Sequence, residues 1–266
     1  MSLKLREQAL PDLDRDKLQQ QTANTIVGLF EGGHIGFPDP PIKLKSGRQS
    51  PVYVNLRGLN AGSPDTPEDV LSARATTLRW MTLSALSLIP EGAISMHVFG
   101  PPQAGTPLAA SVSALAHPVS EGRLHLPLIW QRVPEEGKAS YGKHASLEGL
   151  GDYNGESPTE VPVLVLDDVA TNGGSKVESA KALCAGMQKL NLTPLIIGPL
   201  VVVDRQEGAA SDPAKAGMEV ASLFDLDEVV KVLRSEGNIG DQEVEAVARY
   251  HEGLKKSGVA STYNAT

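Results

Sequence analysis

The stretch 163–175 reads VLVLDDVATNGGS, in which an apolar run leads directly into two adjacent acids and then into a turn of hydroxyl, amide and glycine residues. The segment 176–190 that follows is compatible with a helix. Backbone N–H groups in a glycine-rich turn at a helix N-terminus can bind a phosphate, and carboxylates accept hydrogen bonds from sugar hydroxyls. The stretch therefore predicts a buried strand, a turn and a helix that together hold a phosphorylated sugar.

Other common strand–turn–helix motifs do not fit this stretch. It lacks the Gly-x-Gly-x-x-Gly spacing of a dinucleotide-binding loop, and no Gly-Lys-Ser/Thr closes the turn as in a Walker A loop. An ordinary junction with an acidic helix cap would account for one aspartate and one glycine. It would not account for two acids followed by Thr-Asn-Gly-Gly-Ser.

The acid pair and its turn resemble the phosphoribosyl-pyrophosphate (PRPP) binding motif of the type I phosphoribosyltransferases. In that family the acids hold the ribose hydroxyls and the loop holds the 5′-phosphate. The resemblance implies that Asp168 is also a catalytic candidate and that Thr171 also lies at the substrate. The PRPP-binding positions implied in this stretch are Asp167, Asp168, Val169, Ala170, Thr171, Asn172, Gly173, Gly174 and Ser175.

Two further segments resemble the orotate phosphoribosyltransferases in particular. Residues 44–53 read LKSGRQSPVY, which is similar to that family's amino-terminal signature and implies that Lys45 and Tyr53 flank the orotate ring. Taken alone, a solvated basic hairpin leading into a strand at 52–56 would look the same. Residues 204–207 read DRQE after an apolar strand, and Arg205 matches the family arginine that reaches the orotate carboxylate. A guanidinium suits this role because two parallel N–H donors meet two oxygens.

A glycine-proline loop follows a predicted strand at 94–99, and relatives use this loop to contact pyrophosphate. The implied PRPP-binding positions are Gly100, Pro101, Gln103 and Ala104. Relatives often carry a lysine where this chain has Ala104, so a cation is missing where pyrophosphate charge needs neutralising. This departure leaves open a non-catalytic or weakly active PRPP-binding regulatory relative. A phosphoribosyltransferase for another base is a further alternative, although a purine has no carboxylate to meet Arg205.

Residues 132–151 are polar and glycine-containing with little apolar periodicity, which predicts a mobile loop. Orotate phosphoribosyltransferases carry a cation-rich loop here. The resemblance implies that it closes over the neighbouring subunit's site in a homodimer, although the family lysine would fall on Ala139. Preplaced cations would stabilise the charge that grows on the departing pyrophosphate. The catalytic candidates in this loop are Arg132, Lys138, Lys143 and His144.

Apolar strand patterns alternate with helical patterns along the chain, which predicts an α/β fold with a mostly parallel sheet flanked by helices. Strands are predicted near 94–99, 126–131, 162–167, 195–203 and 219–224, and helices near 22–30, 67–87, 108–116, 176–190, 223–233 and 241–254. The resemblance implies the type I phosphoribosyltransferase fold with a small N-terminal hood. The expected divisions are an arm at 1–21, a phosphoribosyltransferase domain at 22–235 with its hood at about 22–62, and a C-terminal helix and tail at 236–266. We expect the tail from residue 257 onward to be frayed.

The composition limits the binding partners and the cellular location that we expect. The 266 residues carry a net charge of −8, which argues against binding to nucleic acid or to acidic membranes. A single cysteine and the lack of a signal peptide or a long apolar run predict a cytoplasmic protein. No histidine pair has metal-ligand spacing, so we expect no protein metal site. The resemblance implies transfer of phosphoribose from PRPP to orotate, giving orotidine 5′-monophosphate and pyrophosphate, with Mg²⁺ bound mainly through the PRPP pyrophosphate.

Overall fold

The computed structural model describes residues 14–44, 47–60, 63–102, 104–131, 147–150, 159–208 and 218–263. Its helices are α1 (Arg15–Glu31), α2 (Glu68–Ser87), α3 (Gly105–Val119), α4 (Gly174–Gln188), α5 (Leu226–Ser235) and α6 (Asp241–Lys256), with a 3-10 helix at Arg57–Asn60. Its strands are β1 (Ile35–Gly36), β2 (Ile42–Lys43), β3 (Gln49–Ser50), β4 (Tyr53–Val54), β5 (His97–Phe99), β6 (Leu128–Gln131), β7 (Leu147–Glu148), β8 (Thr159–Ala170), β9 (Leu192–Asp204) and β10 (Ala221–Asp225). None of the described helices combines the length and the apolar character needed to span a bilayer.

Six strands form one central sheet in the order β10-β9-β8-β5-β6-β7. All neighbouring pairs are parallel except β6 and β7, which run antiparallel. The apolar run in β8 is buried on both faces, as expected for a parallel strand covered by helices. The prediction of an α/β fold with a mostly parallel sheet flanked by helices is confirmed.

The sheet separates two apolar layers, because alternate residues of a strand point to opposite faces. Leu164 and Leu166 of β8 belong to the main core, which also contains side chains of α1, α2, α3, α5 and α6. Val163 and Val165 belong to a second cluster, with Leu183 of α4. Packing on both faces therefore fixes the position of the carboxyl end of β8.

The segment expected to form the hood contains two short antiparallel pairs, β1 with β4 and β2 with β3. The second pair is the hairpin expected around the basic turn. The predicted strand at 52–56 is too long, because β4 covers only Tyr53–Val54. The cause is local: the Ser50 hydroxyl donates to Val52 O at 3.0 Å and accepts from Val52 N at 3.1 Å, so it occupies backbone groups that a longer strand would pair.

Several element ends differ from the predicted ones. Helix α1 begins at Arg15 rather than near residue 22, because Asp14 caps it by accepting a hydrogen bond from Asp16 N at 3.0 Å. Helix α5 begins at Leu226 rather than near 223, since β10 continues through Asp225. The carboxyl end of the predicted loop at 132–151 is also different: β7 pairs there with β6, while residues 132–146 lie outside the described residues.

The C-terminal tail (residues 257–263) is packed against the protein. Tyr263 is 3% exposed, and its ring stacks on His251 with the ring centroids 4.4 Å apart. Lys255 Nζ donates to the Tyr263 carbonyl oxygen at 2.8 Å. The prediction of fraying is therefore wrong for residues up to 263. The tail has no apolar pattern, and its order comes from one aromatic side chain packed on a helix.

Candidate active site

Two of the predicted binding segments meet at the carboxyl edge of the sheet, where β5 and β8 lie side by side. The chain continues from β5 to β6 on one side and from β8 to β9 on the other, so the loops after them diverge and leave a crevice. A side-chain carbon at Gly105 would lie 3.2 Å from Asp167 Oδ1 and 2.7 Å from Leu166 O. The loop after β5 therefore lies directly against the acid pair.

The loop after β5 is held by its own hydrogen bonds. Thr106 Oγ1 donates to the carbonyl oxygens of Gly100 at 3.0 Å and Pro101 at 3.3 Å. Glycine is required at position 100, because a Cβ there would lie 2.2 Å from the Gly105 carbonyl oxygen. Ala104 precedes α3 without a side-chain cap. At its described positions, the loop therefore offers a ligand the N-terminus of α3 rather than a cationic side chain.

The two aspartates of the acid pair have different surroundings. Asp167 is buried and uses both oxygens within the protein: Oδ1 accepts from Asp168 N at 3.0 Å, and Oδ2 lies 2.6 Å from Lys176 Nζ. The buried Lys176 also donates to the Val169 carbonyl oxygen at 2.5 Å. Asp168 is half-buried, and its Oδ1 accepts from Val169 N at 2.8 Å. Asp168 is thus the more accessible of the two acids.

Burial, followed by the neighbouring Asp167 carboxylate, raises the pKa of Asp168 to about 6. The Lys176 ammonium and the Val169 N–H oppose this rise. Burial and like charge both disfavour the ionised carboxylate, which explains the direction of the change. A carboxylate with this pKa is ionised at neutral pH and is a good hydrogen-bond acceptor for sugar hydroxyls.

The turn between β8 and α4 presents backbone donors. Gly173 adopts φ of +78°, a left-handed conformation that glycine accommodates, and α4 begins at the next residue. Asn172 Oδ1 accepts from Gly174 N at 3.3 Å, while Thr171 is half-buried and Ser175 is exposed. The turn and the N-terminus of α4 form the kind of backbone cradle that binds phosphate.

Arg205 lies beside this turn, because it follows β9 and its N–H donates to the Ala170 carbonyl oxygen at 3.0 Å. Its side chain is 4% exposed. The Nη2 atom donates to Ser50 Oγ at 2.6 Å and lies 2.8 Å from Glu207 Oε1. The bond to Ser50 joins the hood to the edge of the sheet.

The remaining predicted site residues are exposed, lie within β8 or fall outside the described residues. Tyr53 is 38% exposed, and its hydroxyl accepts from Asn55 Nδ2 at 2.8 Å. Val169 and Ala170 lie within β8, and Ala170 is fully buried. The predicted site residues outside the described ranges are Lys45, Gln103, Arg132, Lys138, Lys143 and His144. Their roles stay predictions.

Sequence reasoning missed Lys176 and Ser50. Lys176 is at the start of the buried stripe of α4, at the i, i+4, i+7, i+11 spacing that continues with Ala180, Leu183 and Met187. This spacing was a usable signal, because a lysine on a buried helix face needs a charged partner. Ser50 gave no such signal, since its bond to Arg205 spans 155 residues of sequence.

Relatives with known names show the family of this chain. An orotate phosphoribosyltransferase from Bordetella petrii is 30% identical over 222 residues, a match that covers 78% of this chain and 85% of the relative. This chain belongs to the orotate phosphoribosyltransferase family. Another member of the family, from Saccharolobus solfataricus, is 29% identical and is covered over 87% of its length. No family model matches the chain.

Solved structures agree with membership of the orotate phosphoribosyltransferase family. The crystal structure of orotate phosphoribosyltransferase from Aeropyrum pernix matches with a TM-score of 0.54 and 26% identity, covering 81% of this chain and 99% of that chain. The structure of Leishmania donovani UMP synthase matches with a TM-score of 0.62 and 21% identity. That match covers 88% of this chain but only 43% of the longer UMP synthase chain, and it supports the fold alone.

Proposed function

We propose that the crevice between β5 and β8 carries out the orotate phosphoribosyltransferase reaction, with Asp168, the turn at 171–175 and Arg205 as its binding groups. Orotate N1 forms a bond to C1 of the PRPP ribose, and the C1–O bond to pyrophosphate breaks, with the electron pair leaving on the pyrophosphate. The N1 proton is released, and orotidine 5′-monophosphate is the product. The main observation in support is that three parts of the chain meet at one edge of the sheet. They are the loop after β5, the acid pair with its turn, and Arg205.

The acid pair and its turn form the proposed ribose 5-phosphate site. The backbone N–H groups at the N-terminus of α4 would bind the 5′-phosphate, and Asp168 would accept hydrogen bonds from the ribose hydroxyls. Asp167 is buried and paired with Lys176 at 2.6 Å, so it is less accessible to the ribose than Asp168. In this proposal Asp168 therefore binds the sugar directly, and Asp167 mainly holds the strand end in place.

Arg205 is the proposed binding group for the orotate carboxylate. Its Nη2 is engaged by Ser50 and Glu207, whereas its buried Nε has no hydrogen-bond partner within the described chain. A ligand carboxylate would satisfy this donor, and leaving it unpaired is costly. The predicted roles of Lys45 and Tyr53, flanking the ring, belong to the same proposal.

Positive charge must also reach the departing pyrophosphate, and Ala104 does not supply it. The proposed sources are the loop cations Arg132, Lys138, Lys143 and His144, together with Mg²⁺. No cluster of three metal-ligating side chains is present among the residues that the structure describes. We propose that Mg²⁺ is held through pyrophosphate oxygens and water, as this ion prefers. When bound, Mg²⁺ would neutralise the charge on the leaving group.

A homodimer and a cytoplasmic location complete the proposal. The dimer is proposed because the family's loop acts across subunits and this chain has a polar segment at the same place. The cytoplasm is proposed because the chain has a single cysteine, Cys184, so it cannot form an intrachain disulfide.

A direct test follows the loss of orotate ultraviolet absorbance with PRPP and Mg²⁺, using a reaction without PRPP as the blank. We expect turnover by the wild type and a higher orotate KM for Arg205→Lys, with little change in the PRPP KM. The lysine keeps the charge next to Glu207 but loses the two-donor geometry. Absence of turnover, with PRPP still raising thermal stability, would favour the regulatory alternative that Ala104 suggests.

A further inference from the structure

Gln206, the residue between Arg205 and Glu207, has a strained backbone. Its φ is +57°, in the left-handed region that residues other than glycine seldom occupy. Such a conformation persists only where the surrounding contacts determine it, and these positions cluster at functional sites. The contacts that hold Gln206 therefore also decide how its two charged neighbours are presented.

Among the described residues, four hydrogen bonds hold Gln206, and two of them are shared with the C-terminal tail. Its N–H donates to Asp204 Oδ1 at 2.8 Å, and its Oε1 accepts from Asp227 N at 2.9 Å. Its Nε2 donates to the Thr262 carbonyl oxygen at 3.4 Å, and its own carbonyl oxygen accepts from Thr262 N at 3.3 Å. Both the backbone and the side chain of Gln206 are thus bonded to a single tail residue.

The tail is itself anchored, so it can act as a fixed support. The rings of Tyr263 and His251 stack at 17° to each other, and the His251 Nδ1 lies 2.8 Å from Ser261 Oγ. Lys255 of α6 donates to the Tyr263 carbonyl oxygen. A side-chain carbon at Gly208 would lie 3.3 Å from Val259 Cγ1, which shows that the tail also packs on the far end of the same loop.

Arg205 and Glu207 are buried and form an ion pair at 2.8 Å across Gln206. A change in the Gln206 backbone would reorient both side chains together. We propose that the tail is a positioning element for substrate binding: through Thr262 it fixes Gln206, and Gln206 in turn holds Arg205 in the orientation that receives the orotate carboxylate. This inference rests on the proposed function.

The test compares three variants with the wild type in steady-state kinetics for both substrates. The first ends the chain after Gly258, which removes the Thr262 and Tyr263 contacts but keeps α6 whole. Its matched control ends after Tyr263 and keeps every tail contact described above. The third is Gln206→Gly, which keeps the chain at full length, removes the two side-chain bonds, one of them to Thr262, and frees the backbone at this position.

We expect the shorter truncation product and Gln206→Gly each to raise the orotate KM by about tenfold, as the loss of one or two net hydrogen bonds would. The PRPP KM should stay within about twofold of its wild-type value, because none of the described tail contacts reaches the phosphate turn. The control truncation should match the wild type. Equal rises in both KM values, or an unchanged orotate KM, would overturn the inference.

Failure of the proposed function can be distinguished from failure of the inference about the tail. If the wild type does not turn over orotate, the proposed function fails and the tail is not at issue. If the wild type turns over and the truncated chain does not fold, as judged by circular dichroism, Gln206→Gly decides alone: an unchanged orotate KM in that variant overturns the inference.

Discussion

The raised pKa of Asp168 makes PRPP binding depend on pH in a predictable direction. With a pKa of about 6, this carboxyl group is about nine-tenths ionised at pH 7 and about one-tenth at pH 5. The ionised form is the better acceptor for ribose hydroxyls. The part of the PRPP affinity that depends on Asp168 should therefore fall by about tenfold between pH 7 and pH 5. Titration calorimetry at several pH values measures this change.

Asp168→Asn is the control, because it keeps the shape of the side chain and removes the titrating group. The PRPP phosphates titrate equally in both proteins, so the ratio of the two affinities isolates Asp168. A ratio that stays constant from pH 7 to pH 5 would contradict the assigned role. The effect on folding has the opposite sign: the folded pKa lies above the ordinary value of 3.8, so the stability contribution of Asp168 improves as pH falls from about 6 towards 4.

At single residues, the sequence predicted position along the sheet edge better than it predicted side-chain contacts. The acids, the turn and Arg205 could be predicted because each follows an apolar run whose end must lie at the sheet edge. The contact of Asp167 with Lys176 and that of Arg205 with Ser50 could not be predicted in the same way. Both are made between elements, and they depend on how far side chains reach after the helices and the hood have packed.

Among the elements, a buried ion pair links the start of α4 to the carboxyl end of β8, in addition to the apolar packing of Leu183. Lys176 Nζ lies 2.6 Å from Asp167 Oδ2, and both side chains are largely buried. Removing one partner leaves a buried charge unpaired, so Lys176→Met should lower the free energy of unfolding by about 3–5 kcal/mol. Urea denaturation measures the loss.

Lys181→Met is the matched control on the same helix. Lys181 pairs with Glu178 at 2.9 Å, but both side chains are mostly exposed, so its removal should cost less than about 1 kcal/mol. Adding Asp167→Leu to Lys176→Met should restore much of the lost stability, since no unpaired charge is then buried. Similar losses for the two lysine variants would show that the pair does not hold α4 to the sheet.

Apart from β7, the type and order of the elements from β5 onward could be predicted because each carries a local pattern of apolar residues. The ends of the helices and strands were harder to predict. The first turn of α1, for example, is polar and depends on the Asp14 cap rather than on an apolar stripe. The tail and β7 were missed for a different reason. Two paired residues of β7 and a single buried Tyr263 form no repeating pattern, so only the tertiary structure reveals them.

For the whole molecule, the proposed dimer predicts that two inactive variants restore activity to each other. Asp168→Asn damages the sugar site, and a variant with Lys138→Ala and Lys143→Ala damages the loop. If the loop serves the neighbouring subunit, a mixed dimer contains one intact site. Equal amounts, unfolded and refolded together, should then give about a quarter of the wild-type activity, because half of the dimers are mixed and each has one working site.

Each variant refolded alone is the control and should stay inactive. The assay is the absorbance change of orotate, and sedimentation confirms that the proteins are dimeric. No recovery on mixing, with dimers present, would mean that each loop serves its own subunit. Recovery would also bring Lys138, Lys143 and the acid pair into one active centre.

The pairing of β8 with β9 shifts by one residue, from Leu164 opposite Ile197 to Leu166 opposite Leu200. The additional residue is on β9, so every later side chain of that strand points to the face opposite the one it would have in a regular ladder. Arg205 directly follows the end of this strand, so the direction of its side chain depends on the same shift. The number of β9 residues before Arg205 therefore determines whether its guanidinium faces the hood. A relative that lacks the extra residue would need its carboxylate-binding arginine one position earlier or later in the chain.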